Sequence, residues 1–269
     1  MGLKGRNANS NANFQREYFF ILFLQRESSI AFEVPQHKGA SETYRGPDNT
    51  LTSTLTNAPL APLLDRLFEQ ADRVTSPAVA GIPHGERERL MRSKTEYMDF
   101  YSRAKDLWLP VSRETGVLLY QLARSMNARN IIEFGTSFGL STLHLAAALR
   151  DNGGGRLIGS EFEPSKVAGV RKHLVEAGVG DLVEIREGDA LRTLAADLPD
   201  SIDLVLLDGA KSIYCEVLDL VESHLRPGAL IVADNADYSP DYLARVRSPE
   251  GGYLSVPFGE DVELSIRLG

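Results

Sequence analysis

Two aspartates, an asparagine and a lysine stand just past apolar runs. Asp208 follows Leu206-Leu207, Lys211 comes three positions later, and Asp234-Asn235 follows Val232-Ala233. Asp208, Asp234 and Asn235 offer hard oxygen donors from two strand ends. Such a set suits Mg²⁺, which leaves its remaining octahedral positions to water or substrate. A lysine beside a cation loses proton affinity and can become a base. The bland alternatives are ordinary turn chemistry for Asp-Gly and Asp-Asn, and a solvated lysine at a helix start.

A second constellation lies upstream, in Ile131-Ile132-Glu133-Phe134-Gly135-Thr136-Ser137-Phe138-Gly139. An apolar run ends in an acid, a glycine-bracketed turn follows, and a helical run Leu140–Leu149 comes next. This strand–turn–helix opens nucleotide-binding α/β domains, because glycine lets backbone approach a ligand and the helix offers free N–H groups. Glu161 ends the next strand about 20 residues on, where a carboxylate accepts both ribose hydroxyls of an adenosine. Asp189, after Gly188 at a third strand end, is placed to reach an adenine edge or to cap the helix behind it. Glu133 could accept from an ammonium, hold a water, or cap its own strand end.

Two other readings of the turn fail on context. Gly-x-Ser-x-Gly also marks a hydrolase nucleophile elbow, but that fold needs a histidine after a late strand. His224, the last histidine, precedes the strand ending in Asp234. A dehydrogenase fingerprint would need glycine at Ser137. The five histidines form no metal-binding spacing.

These groups need elements to hold them. Strands are expected at Asn130–Phe134, Arg156–Glu161, Leu182–Glu187, Ile202–Leu207 and Ala229–Ala233. Helices are expected at Leu140–Leu149, Glu163–Ala177, Ala190–Asp197 and Ser212–His224. Near-continuous Val/Ile/Leu strands are buried on both faces, so the pattern predicts a doubly wound, mostly parallel α/β sheet. A short helix at Pro240–Val246 and a C-terminal hairpin, Gly252–Pro257 with Val262–Leu268, follow. Upstream, Ala61–Val74 and a longer stretch, Glu86–Trp108, read as helices, and Ser112 reads as the N-cap of a third.

The bulk numbers set limits. The chain has 269 residues, 43% of them hydrophobic and 25% charged. A net charge of −8 and a pI near 5.2 argue against a nucleic-acid partner. The single cysteine, Cys215, excludes an internal disulfide and fits a reducing, cytoplasmic setting. The apolar run Tyr18–Leu24 is far shorter than the ~20 residues of a membrane span, so no membrane partner is expected. Residues 1–57 read as an extension outside the fold, and 58–269 as the catalytic domain.

Ser112 to Leu268 resembles the cation-dependent O-methyltransferases of the catechol and caffeoyl-CoA type. The resemblance rests on Ile131–Gly139 with Ser141, Leu157–Glu161, Leu206–Lys211 with Tyr214, Val232–Asn235, and Val256–Val262. It implies a class I methyltransferase Rossmann-like sheet whose last strand is antiparallel, and S-adenosylmethionine (SAM) as cofactor. Glu133 and the turn Gly135, Thr136, Ser137 and Gly139 would face the methionine portion. Ser141 would hold its carboxylate, Glu161 the ribose, and Asp189 or Ala190 would border the adenine. Asp208, Asp234 and Asn235 would bind Mg²⁺ or a similar cation, with Asp208 also beside the cofactor, and Lys211 would be the base.

The implied reaction is methyl transfer to a hydroxyl of a small aromatic, catechol-like acceptor. A homodimer is one option for assembly. The alternatives are metal-independent O- or N-methyl transfer, and SAM binding without turnover. Two departures stand out. The link from Asn235 to the hairpin is shorter than in the caffeoyl-CoA enzymes. Ala210 also stands where the catechol enzymes place a tryptophan, leaving Tyr101, Trp108, Tyr238 and Tyr242 as candidate walls.

Overall fold

The computed structural model describes Ser53–Gly269 apart from Thr75 and Glu260. The Tyr18–Leu24 run, most of the expected extension, His37 and Glu260 of the hairpin motif therefore lie outside the described residues.

The elements run α1 (Leu60–Arg73), α2 (Pro77–Ala80), α3 (His84–Met91), α4 (Tyr97–Arg103), α5 (Arg113–Ser125), β1 (Asn130–Phe134), α6 (Leu140–Asp151), β2 (Arg156–Glu161) and α7 (Pro164–Ala177). They continue with β3 (Val183–Glu187), α8 (Ala190–Thr193), β4 (Ile202–Leu207), α9 (Tyr214–Val221), β5 (Leu225–Asp234), α10 (Pro240–Val246), β6 (Tyr253–Phe258) and β7 (Val262–Arg267). The seven strands form one sheet in the order β3-β2-β1-β4-β5-β7-β6. β1 pairs with β2 and β4 in parallel, as do β2 with β3 and β4 with β5. β7 is antiparallel to both β5 and β6. This is the doubly wound sheet with a C-terminal hairpin that the strand pattern predicts.

The apolar strands feed two cores. Ile132, Ile158, Val205 and Leu207 pack on one face with Tyr214 and Val217 of α9. Their neighbours Ile131, Leu157, Leu204 and Leu206 pack on the other with Leu119 of α5 and Leu145 of α6. Successive side chains of a strand alternate faces, so an unbroken apolar run requires helices on both sides. Strand order reverses at β1 and β4, and in such sheets the crevice beyond the carboxyl ends at this point is where ligands bind.

Three expectations are corrected. The single helix over Glu86–Trp108 is two short helices, α3 and α4, separated by a turn. Ser93 breaks it: its hydroxyl accepts from the Glu96 amide at 3.1 Å, offering the backbone a partner other than the helix ladder. The helix expected over Ala190–Asp197 ends at Thr193. The Ser212–His224 segment is α-helical only over Tyr214–Val221, with 3₁₀ turns at both ends. Ser112 does cap α5, accepting from the Thr115 amide at 3.0 Å. Ser53 and Thr54, ahead of the expected domain start at Ala58, bond to Tyr120 and Asp151.

Candidate active site

The carboxyl ends of β1, β2, β4 and β5 carry the predicted groups to one edge of the sheet. Glu161 ends β2, is 7% exposed, and is fixed by backbone. One carboxylate oxygen accepts from the Ser137 amide at 2.8 Å, the other from the Glu163 amide at 2.9 Å. The Gly135–Gly139 turn is thus tied directly to the end of β2. Gly135 sits at φ +96°, and a Cβ there would lie 2.5 Å from the Asp208 carbonyl oxygen. Only glycine lets β1 turn this close to the end of β4. Gly139, also left-handed, is the N-cap of α6.

Gly135, Ser137, Glu161, Asp189, Ala190 and Asp208 line one cleft that opens to solvent. The Ser137 hydroxyl is buried with no partner among the described residues. Thr136 and Ser141 line a smaller recess that shares Gly135 and Ser137 with the cleft. Asp189 caps α8 through the Leu191 amide at 3.1 Å and also accepts from the Tyr97 hydroxyl at 3.2 Å. Its capping and cleft-lining readings therefore hold together.

Glu133 is fully buried and is not part of the cleft lining. The Ser141 and Thr142 hydroxyls each donate to its carboxylate at 2.6 Å, which pins the first turn of α6 onto β1. Burial pushes its carboxyl up to about 7, although both hydroxyl bonds pull the other way.

Asp208 and Asp234 lie side by side because Leu207 of β4 is in register with Ala233 of β5. The Tyr214 hydroxyl lies 2.8 Å from the carbonyl oxygens of Leu207 and Asp234 and donates to one or the other, clamping the two strand ends. Lys211 Nζ is 2.8 Å from Asp208 and 3.6 Å from Asp234, and all three side chains are nearly inaccessible. Burial pushes both carboxyls up, and the neighbouring carboxylate adds to the shift at Asp234. Burial alone would depress the lysine, but the charges of Asp208 and Asp234 hold it well above the ordinary lysine range. Lys211 is therefore a firmly protonated counter-charge in this arrangement, whereas the sequence reading has it losing its proton. Asn235 follows in a left-handed turn at φ 49°. Among the described residues no three His, Cys, Asp or Glu side chains gather as a metal cluster; the expected donor set has only two carboxylates and an amide.

Of the candidate walls, Tyr101 lines the cleft and Trp108 lines the recess, stacked on Phe138 at 4.2 Å. Tyr242 is fully buried, edge-on to Tyr214, and is core. Tyr238 lies under the Arg92 guanidinium. The cleft also holds Tyr97, Met98, Leu109, Phe162 and Lys166, which sequence reasoning missed. Tyr97 and Tyr101 are four apart on α4, so their shared face was the available signal.

Comparison with known proteins agrees with this geometry. A family described as a methyltransferase domain matches residues 132–236. A catechol O-methyltransferase from Niastella koreensis is 38% identical over 130 residues, 47% of this chain and 58% of the relative. Catechol O-methyltransferase B of Danio rerio is 32% identical over 174 residues, 62% of this chain and 65% of the relative. The matched segments thus span less than two thirds of these relatives. Among solved structures, the O-methyltransferase of tomaymycin synthesis from Streptomyces achromogenes, in complex with SAM, is 27% identical with a TM-score of 0.53, covering 71% of this chain and 94% of that one. Strand order, glycine turn and these relatives lead to one conclusion: residues 132–236 carry a methyltransferase domain, and the chain is similar to the catechol and caffeoyl-CoA O-methyltransferases.

Proposed function

We propose that residues 58–269 form a SAM-dependent methyltransferase that acts on a hydroxyl of a small aromatic acceptor. The observation that carries this reading is that Asp208 borders the same cleft as Glu161 and the Gly135 turn, with Lys211 and Asp234 directly behind it. SAM would supply an electrophilic methyl group. Glu161 would take the ribose hydroxyls, with Asp189 and Ala190 beside the adenine. The unpartnered Ser137 hydroxyl, together with Thr136, Ser141 and the Gly135–Gly139 backbone, would meet the methionine portion.

Asp208, Asp234 and Asn235 fit a hard divalent cation such as Mg²⁺. They are oxygen donors, and two buried carboxylates side by side favour a positive charge between them. Bound there, the ion would polarise an acceptor oxygen as a Lewis acid. The acceptor hydroxyl needs that help or a base, since a phenol has a pKa of about 10. Lys211 is the candidate base. With its carboxylate partners engaged elsewhere, it loses the charges that hold its proton. Tyr101 and Tyr97 would flank the acceptor ring.

One observation favours a second reading, metal-independent transfer: the Lys211 ammonium already pairs with both aspartates, at 2.8 and 3.6 Å. Titration calorimetry with SAM and a catechol, with and without Mg²⁺, separates the two. Under the first reading EDTA abolishes turnover and Mg²⁺ restores it. Full turnover in EDTA promotes the second, and no SAM binding at all removes both.

A further inference from the structure

Lys166 is the one strongly buried cation of the cleft that this reading leaves without a task. It stands in the first turn of α7, is only 5% exposed, and lines the cleft alongside Glu161 and Ser137. Its ammonium lies 5.8 Å from the centre of the Phe138 ring. Among the described residues it forms no ion pair or hydrogen bond. Glu161, Glu163, Asp208 and Asp106 act on it only at longer range, and burial depresses its proton affinity. Glu161, the acid whose charge acts on it most strongly, already accepts from two backbone amides.

Such a placement is unfavourable on two grounds. An unpaired buried ammonium forfeits its hydration. A cation in the first turn of a helix also opposes the helix dipole. Both costs fall when an anion enters the cleft. A lysine whose head merely reaches solvent past an apolar stem is the competing explanation.

We propose that Lys166 is a carboxylate receptor of the cleft, pairing with the carboxylate of a bound small molecule. Two sources present that group: the amino-acid end of the cofactor, or an acid substituent on the aromatic acceptor. The proposal rests on the methyl-transfer reading, and its test keeps the two apart.

S-adenosylhomocysteine carries the amino-acid carboxylate and 5′-methylthioadenosine lacks it. In the same way, 3,4-dihydroxybenzoate carries an acid that catechol lacks. Calorimetry and steady-state kinetics compare wild type, Lys166→Met and Lys166→Arg with all four. If the cofactor supplies the carboxylate, Lys166→Met weakens S-adenosylhomocysteine about 10- to 100-fold, the range for a bond to a charged group, and leaves methylthioadenosine unchanged. If the acceptor does, kcat/KM falls by that factor for dihydroxybenzoate and not for catechol. Lys166→Arg keeps most of the affinity in either case. Lys166→Met should melt no lower than wild type, because it removes an unpaired buried charge. If it fails to fold, Lys166→Gln carries the same comparison. Equal effects on both members of each pair, or no effect, overturn the proposal and leave the methyl-transfer reading standing. A wild type that binds neither nucleoside refutes that reading and the proposal with it.

Discussion

The two acidic ends of the cleft are built on opposite principles. Glu161 is satisfied by backbone: the Ser137 and Glu163 amides fix both of its oxygens, and no cation pairs with it among the described residues. Asp208 and Asp234 are satisfied by charge, through the ammonium of Lys211. Backbone donors are set by the course of the chain, so Glu161 cannot turn away without moving the glycine turn. A lysine ammonium is a point charge on a four-carbon stem and can give way to another cation or to a substrate proton. Under the methyl-transfer reading, the first end would be organised for recognition before any ligand arrives. The second would be free to exchange charge, which is what a proton-transfer step needs.

The sharpest way to break this comparison is to remove the exchangeable charge. Lys211→Met should leave S-adenosylhomocysteine affinity nearly unchanged, since Glu161 and the turn do not depend on it. It should lower the rate of the chemical step roughly 10²–10⁴-fold, the usual worth of general-base catalysis. The loss should shrink for phenols whose hydroxyl is already acidic. Normal turnover of a weakly acidic catechol by Lys211→Met would show that the base lies elsewhere.

Glu133 sharpens the comparison from beneath, since it is an acid that neither end uses. Its folded carboxyl stands at about 7 against an ordinary 4.5 because of burial. Between those values the native state holds more protons than the unfolded chain, so stability falls as pH rises through this window. The contribution of the neutral acid is complete below about 4.5 and is lost as pH passes 7. Glu133→Gln imitates the neutral acid. Its stability should come close to wild type near pH 5 and exceed it at pH 8 by up to roughly 3 kcal/mol, read as a higher melting temperature. Parallel melting curves across that range would mean that Glu133 stays ionised under its two hydroxyl donors.

What could be read from the sequence divides along similar lines. Strand ends were legible, because unbroken runs such as Ile202–Leu207 can be buried only in a sheet covered on both faces. Each acid at such an end falls on the same edge of that sheet. Helices such as Leu140–Leu149 and Pro240–Val246 were legible too, but the cover between Glu86 and Trp108 was not. Apolar periodicity runs on across Ser93, and only the fold shows that its hydroxyl takes the Glu96 amide and ends the helix. Lys166 was invisible for a related reason. In sequence it is a polar residue near the start of a polar-faced helix, and its burial exists only once Phe138 and the end of β2 close around it. The proximity of Lys211 to Asp208 was legible, but its charge state was not, because that depends on Asp234 arriving from the neighbouring strand.

The smallest expected effect tests the rigid end of the cleft. Glu161→Ala removes the acceptor for the Ser137 and Glu163 amides together with the proposed ribose contact. If Glu161 serves the ribose, S-adenosylhomocysteine binding should weaken by about 1.5–3 kcal/mol, as for hydrogen bonds to a charged group. The change should appear equally with 5′-methylthioadenosine, which keeps the ribose. That pattern is the reverse of the one expected from a carboxylate receptor and so separates Glu161 from Lys166. A melting temperature that falls while both affinities hold would assign Glu161 to the turn alone. The backbone-fixed end would then be a structural brace, and recognition of the nucleoside would have to come from Asp189 and the α8 side of the cleft.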